Sequence, residues 1–351
     1  MRDKNAVTIE KSIRTASLID GFWERWLVHG IDPIDLSEIR PRLINLDDWV
    51  ENWSHAANKK ARLAEELKRK GSLVDAEFTY RTAGLYYNLA QWIFPDRCQE
   101  KERLFSLCNS NFDKADQLSI IETMYPSLEI DHKKCTGRAR TPKNPKGCII
   151  IINPIDSSKE ELFLYERDFL DSGYATISFD GPGQGETFVR QGLKATQSNW
   201  EYFIDRVIEH TATFFPTVPL FLFGTSLGAS WVVYGSCNRK IEKALAVSPA
   251  FARKQIKMPD YFTGRMDCVL GDGKEPVPDF EQLNYRSPIF LVHGRRDAMV
   301  QSSDIYRLYG MLPDGKRLIE YQEEMHCCNN KLSEIRQLAT QWYMSDHRMS
   351  I

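Results

Sequence analysis

The feature that most constrains the fold is a Gly-x-Ser-x-Gly motif that directly follows a short apolar run. The stretch reads Phe221-Leu-Phe-Gly-Thr-Ser-Leu-Gly-Ala-Ser230. An apolar run of this length is typical of a buried strand, and a helix-like segment follows the motif. Gly224 and Gly228 leave room for the backbone to pass close by. We therefore predict a strand, a strained turn at Ser226 and a helix whose first N–H groups are unpaired.

The composition argues against nucleic-acid and membrane partners. The formal net charge is -2 over 351 residues, and the lysines and arginines are scattered, so no basic surface field is expected. No apolar run reaches the roughly 18 residues of a membrane-spanning helix, and Met1-Arg-Asp-Lys-Asn5 is too polar for a signal peptide. We expect a cytoplasmic protein that acts on a small molecule.

Neither a metal nor a nucleotide cofactor is expected. The eight cysteines are irregularly spaced, which does not fit a disulfide scaffold, and the sequence has no Cys-x-x-Cys or His-Glu-x-x-His pattern. Gly181, Gly183 and Gly185 form a glycine cluster, but their spacing is not Gly-x-Gly-x-x-Gly and no Lys-Ser/Thr follows. We interpret the cluster as a tight turn.

The first third of the chain reads as a succession of helices. Trp49 and Trp53 belong to a run of helical spacing that ends at Gly71, a typical helix terminus. A further helix is predicted over 74–93, where apolar residues cover more than one side. We predict a helical domain over residues 1–118.

Aromatic stripes at helical spacing are more typical of a core than of a ligand pocket. Within the front helices, Tyr80, Tyr86 and Tyr87 are the candidates for a pocket wall and for substrate contacts.

The periodicity changes after residue 118. Residues 120–128 and 129–140 alternate like an antiparallel pair of strands. Short apolar runs follow, which we predict to be strands at 148–152, 175–179, 220–223, 244–247, 289–292 and 317–321. Helical segments are predicted at 160–170, 199–215 and 331–344. This alternation predicts a mostly parallel sheet with helices on both faces over residues 119–351, in which 248–287 is an excursion that contributes to a cap.

Ligands of such sheets bind beyond the carboxyl ends of the strands, so the residues that follow each run are the candidates for chemistry. Ser226, Asp297 and His326 each follow a predicted strand. A serine nucleophile needs a base, and the base needs an acidic partner. We predict that Ser226 is the nucleophile, His326 the base and Asp297 the acid, in the Ser, Asp, His chain order that this architecture uses.

Other residues compete for these roles. His293 also follows a strand, but it directly precedes Gly294, and we interpret it as a structural turn residue. Asp267 and Asp272 are alternatives to Asp297, yet a strand end holds a carboxylate more firmly than a loop does.

The backbone N–H of Leu227 is the first candidate for an oxyanion hole, and a second N–H is expected from the loop after 148–152. Pro154 has no N–H, so we choose Ile155, with Asp156 as the reserve and as a candidate substrate contact. Both Ser157/Glu160 and Ser158/Glu161 fit a capping box, which predicts a helix start there.

Three further segments narrow the assignment, and together with the serine motif they resemble the α/β-hydrolase family. The segments are Asp180-Gly-Pro-Gly-Gln-Gly-Glu186, Ser157-Ser-Lys-Glu-Glu161 and the front section with Trp49, Trp53 and Ala83-Gly-Leu-Tyr-Tyr87. They are similar to the branch that contains 2,6-dihydropseudooxynicotine hydrolase, fungal polyketide-shortening hydrolases and the fermentation-respiration switch protein. The resemblance implies an α/β-hydrolase fold, an N-terminal helical domain that covers the active site, the same triad and a homodimer.

The resulting hypothesis is a serine hydrolase without a cofactor. It would act through an acyl-serine or tetrahedral intermediate on an ester or ketone carbonyl of a small, partly aromatic metabolite, cleaving a C–O or a C–C bond. Two alternatives stay open. One is an acyltransferase or cyclase that uses the same triad, and the other is a non-catalytic binding module with the same fold.

Overall fold

The structure, a computed structural model, describes residues 3–251, 258–271 and 276–345. Its α-helices are α1 (Lys4–Leu18), α2 (Gly21–Val28), α3 (Pro33–Ile39), α4 (Leu46–Arg69), α5 (Leu73–Trp92), α6 (Gln99–Leu118), α7 (Phe163–Asp171), α8 (Gln197–Phe214), α9 (Leu227–Gly235), α10 (Asp260–Val269), α11 (Ser302–Met311) and α12 (Leu332–Tyr343). The strands are β1 (Glu122–Met124), β2 (Ser127–Ile130), β3 (Lys133–Thr141), β4 (Cys148–Ile152), β5 (Ala175–Phe179), β6 (Leu220–Thr225), β7 (Ile241–Val247), β8 (Ile289–Gly294) and β9 (Arg317–Tyr321). None of the helices in these ranges is both long and apolar enough to cross a membrane.

The strands form one nine-stranded sheet in the order β1-β3-β5-β4-β6-β7-β8-β9, and β2 pairs with β3 beside this path. Pairs that involve β3 are antiparallel, whereas all the neighbours from β5 to β9 in this order are parallel. The chain runs from β4 outward to β5 and then returns to β6 on the other side of β4. The ends of β4 and β6 therefore lie side by side at the point where the strand order reverses, which is where such sheets bind ligands.

Both faces of the sheet are covered. Every residue of β4 is buried, as expected for a strand with helices on either side. On one face α8 and α9 pack together, and the rings of Trp200 and Trp231 stack at 5.6 Å. On the other face α7 and α12 cover the strands, with Phe169 against Phe223 and Trp342 against Phe290. The predicted fold class is confirmed.

The front helices have an aromatic core of their own. Trp23 stacks on Trp49 at a ring distance of 5.8 Å, and both rings are almost fully buried. Helix α4 begins with a reciprocal capping box between Asn45 and Asp48. Within α5, Gly84 faces the ring of Phe112, so that even a methyl group there would collide with the ring of α6.

Some predicted boundaries are wrong. The antiparallel region was predicted as one pair, 120–128 with 129–140, but β2 and β3 are joined by a two-residue turn at Asp131 and His132. Both residues have positive φ values, of 50° and 56°, as a two-residue type I′ hairpin turn requires. Aspartate tolerates this conformation without the glycine that would have marked the turn. Helices α10 and α11 were not predicted at all.

A buried ion pair joins the antiparallel strand β3 to helix α7. The Arg138 guanidinium donates from Nε and Nη2 to Oε1 of Glu166 at 3.1 and 2.9 Å, and both side chains are almost completely buried. Breaking such a pair leaves a buried charge without full compensation.

We therefore expect Glu166→Gln to lower the free energy of unfolding by about 3–5 kcal/mol. Urea denaturation followed by circular dichroism measures this loss. Glu209→Gln is the matched control, since Glu209 pairs with Lys240 at the surface and its loss should matter little. Equal stability of the two variants would show that the buried pair contributes no more than the exposed one.

Candidate active site

The chain reverses at Ser226, between the end of β6 and the start of α9. Ser226 has φ 55° and ψ -125°, an unfavourable conformation for a residue with a side chain, and its N–H donates to the Val247 carbonyl at 2.9 Å. A Cβ at Gly228 would overlap the carbonyl oxygen of Ile152 in β4. A Cβ at Gly224 would in turn crowd the backbone of Gly228. The two glycines thus allow α9 to begin directly against β4.

The structure brings Ser226, His326 and Asp297 into one hydrogen-bonded line. Nε2 of His326 lies 2.9 Å from Oγ of Ser226, and Nδ1 of His326 lies 2.8 Å from Oδ2 of Asp297. The three residues follow β6, β9 and β8, respectively. These strands are parallel, so their carboxyl ends lie at the same edge of the sheet. An aspartate that accepts from Nδ1–H leaves Nε2 free to accept a proton from the serine.

The Asp297 carboxylate is fixed on its other side by the backbone. Its Oδ1 accepts from the N–H groups of Met299 and Val300 at 2.8 and 2.9 Å, and its side chain is fully buried. Burial acts to raise the pKa of Asp297, but the charge and hydrogen bond of His326 outweigh it and hold the pKa below its ordinary value.

The same coupling acts on the imidazole. Burial by itself would lower the pKa of His326, but the Cys327 side chain beside it and the Asp297 carboxylate raise the pKa well above its ordinary value of 6.5. The histidine thus gains proton affinity both from Cys327 and from the carboxylate that orients it.

Two backbone N–H groups at this edge of the sheet make no hydrogen bond to the described residues. Neither Leu227 N–H, at the start of α9, nor Ile155 N–H, in the loop after β4, donates a hydrogen bond to any described part of the chain. The two groups arise at the ends of neighbouring strands, β6 and β4. They can therefore donate to an oxygen that carries negative charge.

The loop after β4 is held by the glycine-rich turn that follows β5. Nε2 of Gln184 donates to the carbonyls of Asn153 and Pro154 at 2.7 and 2.8 Å, and Gly185 N–H donates to the Ser157 carbonyl at 2.9 Å. The glycine cluster is thus a turn beside the site, as predicted from its spacing.

Side chains of the helices α2, α5 and α10 also hold the loop after β4. The Arg25 guanidinium of α2 makes two hydrogen bonds to the Glu161 carboxylate, at 2.6 and 2.8 Å, and a third to the Asp156 carbonyl at 3.0 Å. The Asp156 carboxylate accepts from Arg265 of α10, at 2.9 Å to each oxygen, and from Trp92 Nε1 of α5 at 2.8 Å. Asp156 has a positive φ of 62°, which these contacts stabilise.

The predicted capping boxes are wrong. Glu161 is fully buried and is held by Arg25, by His29 and by the hydroxyl of Ser157, so its carboxylate does not cap a helix. Burial would raise the pKa of Glu161, but Arg25 and His29 lower it to about 2. The segment Lys159–Leu162 begins as a 3-10 turn without a side-chain cap at Ser158. Glu161 instead contacts α2 and the residue after it, and Glu160 pairs with Lys159.

A cavity of about 550 Å³ opens on Ser226 and His326. Its wall comes from α1, α2, α7, the ends of α5 and β6, the loop after β4, the segment 258–262 and the turns after β8 and β9. Most of the surface is apolar and aromatic. The larger wall residues are Phe22, Arg25, Trp26, His29, Trp92, Tyr165, Met258, Tyr261, Phe262, Arg296, Met299 and Met325.

The predicted tyrosines lie elsewhere. Tyr80, Tyr86 and Tyr87 are buried among the front helices, and none of them lines this cavity. The hydroxyl of Tyr86 donates to Asp35 at 2.6 Å, and that of Tyr87 donates to Asn58 at 2.8 Å. Asp156 does not line the cavity either, since its carboxylate is engaged by Arg265 and Trp92.

Among the described residues, the alternative candidates for the base and the acid of the triad lie outside the hydrogen-bonded line. Nε2 of His293 lies 2.9 Å from the Ser302 hydroxyl, and burial lowers the pKa of this histidine. Asp267 is exposed on α10, and Asp272 lies outside the described residues.

All eight cysteines are free, and within the described ranges no group of His, Cys, Asp and Glu side chains is arranged to hold a metal ion.

The raised pKa of His326 can be measured without a substrate. We expect the imidazole signals of His326 in NMR spectra to titrate above pH 6.5, and Asp297→Asn to move the titration to lower pH because the carboxylate that favours the charged form is gone. A raised folded-state pKa stabilises the protein below pH 6.5, and this contribution is lost as the pH rises through the folded-state value. A titration of His326 below pH 6.5 in the intact protein would contradict the coupling.

Comparisons with known proteins show similar sequences and a similar fold. No protein-family model matches the chain. The 20-hydroxy-prefusarin hydrolase FUS2 of Gibberella moniliformis is 26% identical over 249 residues, which cover 65% of this chain and 59% of FUS2. The 2,6-dihydropseudooxynicotine hydrolase of Paenarthrobacter nicotinovorans is 28% identical over 189 residues, or 53% of this chain and 50% of that enzyme. The chain thus spans only half to three fifths of the curated relatives that it matches.

Solved structures match over more of the chain. The crystal structure of 2,6-dihydroxy-pseudo-oxynicotine hydrolase superposes with a TM-score of 0.75 at 22% identity, covering 92% of this chain and 94% of that one. The Pyrococcus furiosus esterase Pf2001 gives a TM-score of 0.51 at 17% identity and covers 64% of this chain and 90% of its own. These similarities confirm the predicted resemblance to 2,6-dihydropseudooxynicotine hydrolase and the fungal hydrolases, and the solved structures show that the chain has an α/β-hydrolase fold.

Proposed function

We propose that this chain is a serine hydrolase with Ser226 as nucleophile, His326 as general base and Asp297 as its acidic partner. The observation that carries the proposal is the continuous hydrogen-bonded line from Asp297 through His326 to Ser226, which ends at the wall of an apolar cavity. The sequence relatives are named as hydrolases, which supports the same reaction class.

In the first step Oγ of Ser226 attacks a substrate carbonyl, and Nε2 of His326 takes the serine proton. The imidazolium that results is stabilised by Asp297 and then gives the proton to the leaving group. Water attacks the acyl-serine in a second step, again with His326 as the base, and Ser226 is regenerated. His326 must be neutral at the start of each step, so the reaction needs a pH at which the imidazole has lost its proton.

The developing oxyanion would be held by the N–H groups of Leu227 and Ile155. Both are unpaired among the described residues, and Leu227 also lies at the N-terminus of a helix, where the helix dipole favours negative charge. Loss of one such donor typically costs on the order of a hundred- to a thousandfold in rate.

The cavity favours a small, partly aromatic substrate. Its wall combines aromatic rings with methionine side chains, which adapt to irregular apolar surfaces. An ester and a ketone form the same kind of tetrahedral intermediate on Ser226, from which a C–O bond breaks in the first case and a C–C bond in the second, with the proton supplied by His326. The homodimer and the cytoplasmic location expected from the sequence stay predictions.

We further propose that residues 1–118 act as a cap domain and that the excursion 248–287 contributes to it. Phe22 and Trp26 of α2, Trp92 of α5 and Tyr261 of α10 all line the cavity. Since the sheet alone would leave Ser226 open to solvent, these helices supply the enclosure that the reaction needs.

Asp297→Asn is the sharpest kinetic test of the triad. The change keeps the shape of the side chain but permits the wrong imidazole tautomer, and in a comparable triad it cost roughly ten-thousandfold in kcat. We expect a similar loss of turnover with 4-nitrophenyl esters.

The matched control is Asp267→Asn, which alters an exposed aspartate of α10 and should leave turnover within about twofold of the wild type, the range of a surface change. An Asp297→Asn protein within about tenfold of the wild type would show that Asp297 is not the acid of a catalytic triad.

A further inference from the structure

Several polar groups of the cavity wall make no hydrogen bond to the described residues, and two of them lie among the aromatic side chains of α2, α5 and α10. One is the Nη1 group of Arg25 and the other is the hydroxyl of Tyr261, and both residues line the cavity. Most of the remaining wall is apolar. Unused donors in such a wall are costly to leave without a partner once water is displaced, so their presence points to a ligand group.

The Arg25 side chain is held rigidly from behind. Its Nε and Nη2 groups donate to Glu161 and to the Asp156 carbonyl, whereas Nη1 makes no hydrogen bond to the described chain and lies 4.0 Å from Oδ2 of Asp156. The guanidinium lies 5.0 Å from the ring centre of Trp26 and 5.9 Å from that of Trp92. About a quarter of the side chain stays accessible, on the side of the cavity.

The Tyr261 ring is positioned by the same aromatic group. It packs edge-on against Phe22 at 5.5 Å and against Trp92 at 6.5 Å. Its hydroxyl has no hydrogen-bond partner within the described ranges. Burial raises the pKa of Tyr261, although the Arg25 charge acts in the opposite direction, so the hydroxyl keeps its proton and is able to donate.

The charges around this pair do not favour an anion. Arg25 is balanced by Glu161, and Arg265 is balanced by Asp156. Glu24 also lines the cavity, and it forms no ion pair within the described ranges. A neutral acceptor therefore fits better than a carboxylate or phosphate.

We propose that Arg25 Nη1 and the Tyr261 hydroxyl form a subsite for a neutral carbonyl oxygen of the substrate, separate from the carbonyl that Ser226 attacks. The substrate class is thus a small apolar molecule with a second oxo group, and not a simple hydrocarbon ester. This inference rests on the proposed hydrolase function. A site built to hydrogen-bond one oxygen rejects analogues that lack it, because its polar groups are then buried without partners.

The test uses matched esters on the full-length protein. One set is the 4-nitrophenyl esters of 4-oxopentanoic, 5-oxohexanoic and 6-oxoheptanoic acids, and the other is the esters of 4-methylpentanoic, 5-methylhexanoic and 6-methylheptanoic acids, in which a methyl group replaces the oxo oxygen. Three chain lengths cover the unknown distance to the subsite. The quantity measured is the ratio of kcat/KM for each oxo ester to kcat/KM for its methyl counterpart.

The wild type should prefer the oxo ester by about tenfold or more at one chain length, as expected for a hydrogen bond from a charged donor. Tyr261→Phe and Arg25→Lys should each reduce this ratio severalfold. Because the ratio compares two substrates of one variant, a general loss of activity, such as a disturbed loop at Asp156, cancels. Tyr261→Phe removes only the hydroxyl, so it keeps the test valid if Arg25→Lys folds poorly.

Tyr202→Phe on the exposed face of α8 is the control and should leave the ratio unchanged. Turnover of both sets with the same ratio in wild type, Tyr261→Phe and Arg25→Lys would overturn the subsite while leaving the hydrolase proposal intact. If no turnover depends on Ser226, the hydrolase proposal is overturned. The subsite then cannot determine which substrate is turned over.

Discussion

The geometry of the site depends on the close approach of helix α9 to strand β4. This approach is possible only because Gly228 has no side chain, since a Cβ there would overlap the Ile152 carbonyl. The same approach forces Ser226 into its positive φ and sets its hydroxyl on the cavity side of the sheet edge. The strain is offset by the packing of α9 against β6, β7 and α8 on one face of the sheet.

A second constraint is that the loop after β4 is shared between the sheet and the helical part of the molecule. Gln184 and Gly185 hold it from the sheet side, and Arg25, Trp92 and Arg265 hold it from the helical side. Glu161 is fully buried, so its charge depends on Arg25 and His29 remaining in place. The conformation of Ile155 is therefore tied to the docking of the front helices, which also close the cavity.

The sequence allowed the sheet and the hydrogen-bonded line at its edge to be predicted, because both depend on local patterns. Runs such as 148–152 and 317–321 coincide with β4 and β9, and a strand end delivers the next polar residue to a known edge. The cavity wall could not be derived in the same way. Tyr86 and Arg25 both lie on aromatic-rich helices, and only the packing of the helices decides that Tyr86 turns to Asp35 while Arg25 turns to the loop. The pattern at Ser158 and Glu161 likewise predicted a capping box, but in the structure Glu161 forms an ion pair with Arg25 of α2.

The central claim, that Ser226 is an activated nucleophile, is tested most directly by covalent labelling. A fluorophosphonate should add one phosphonyl group to the intact protein, and peptide mass spectrometry should locate it at Ser226. Ser106→Ala, which removes an exposed hydroxyl on α6, should be labelled as the wild type is, whereas Ser226→Ala should not be labelled. Equal labelling of the wild type and Ser226→Ala would contradict the account.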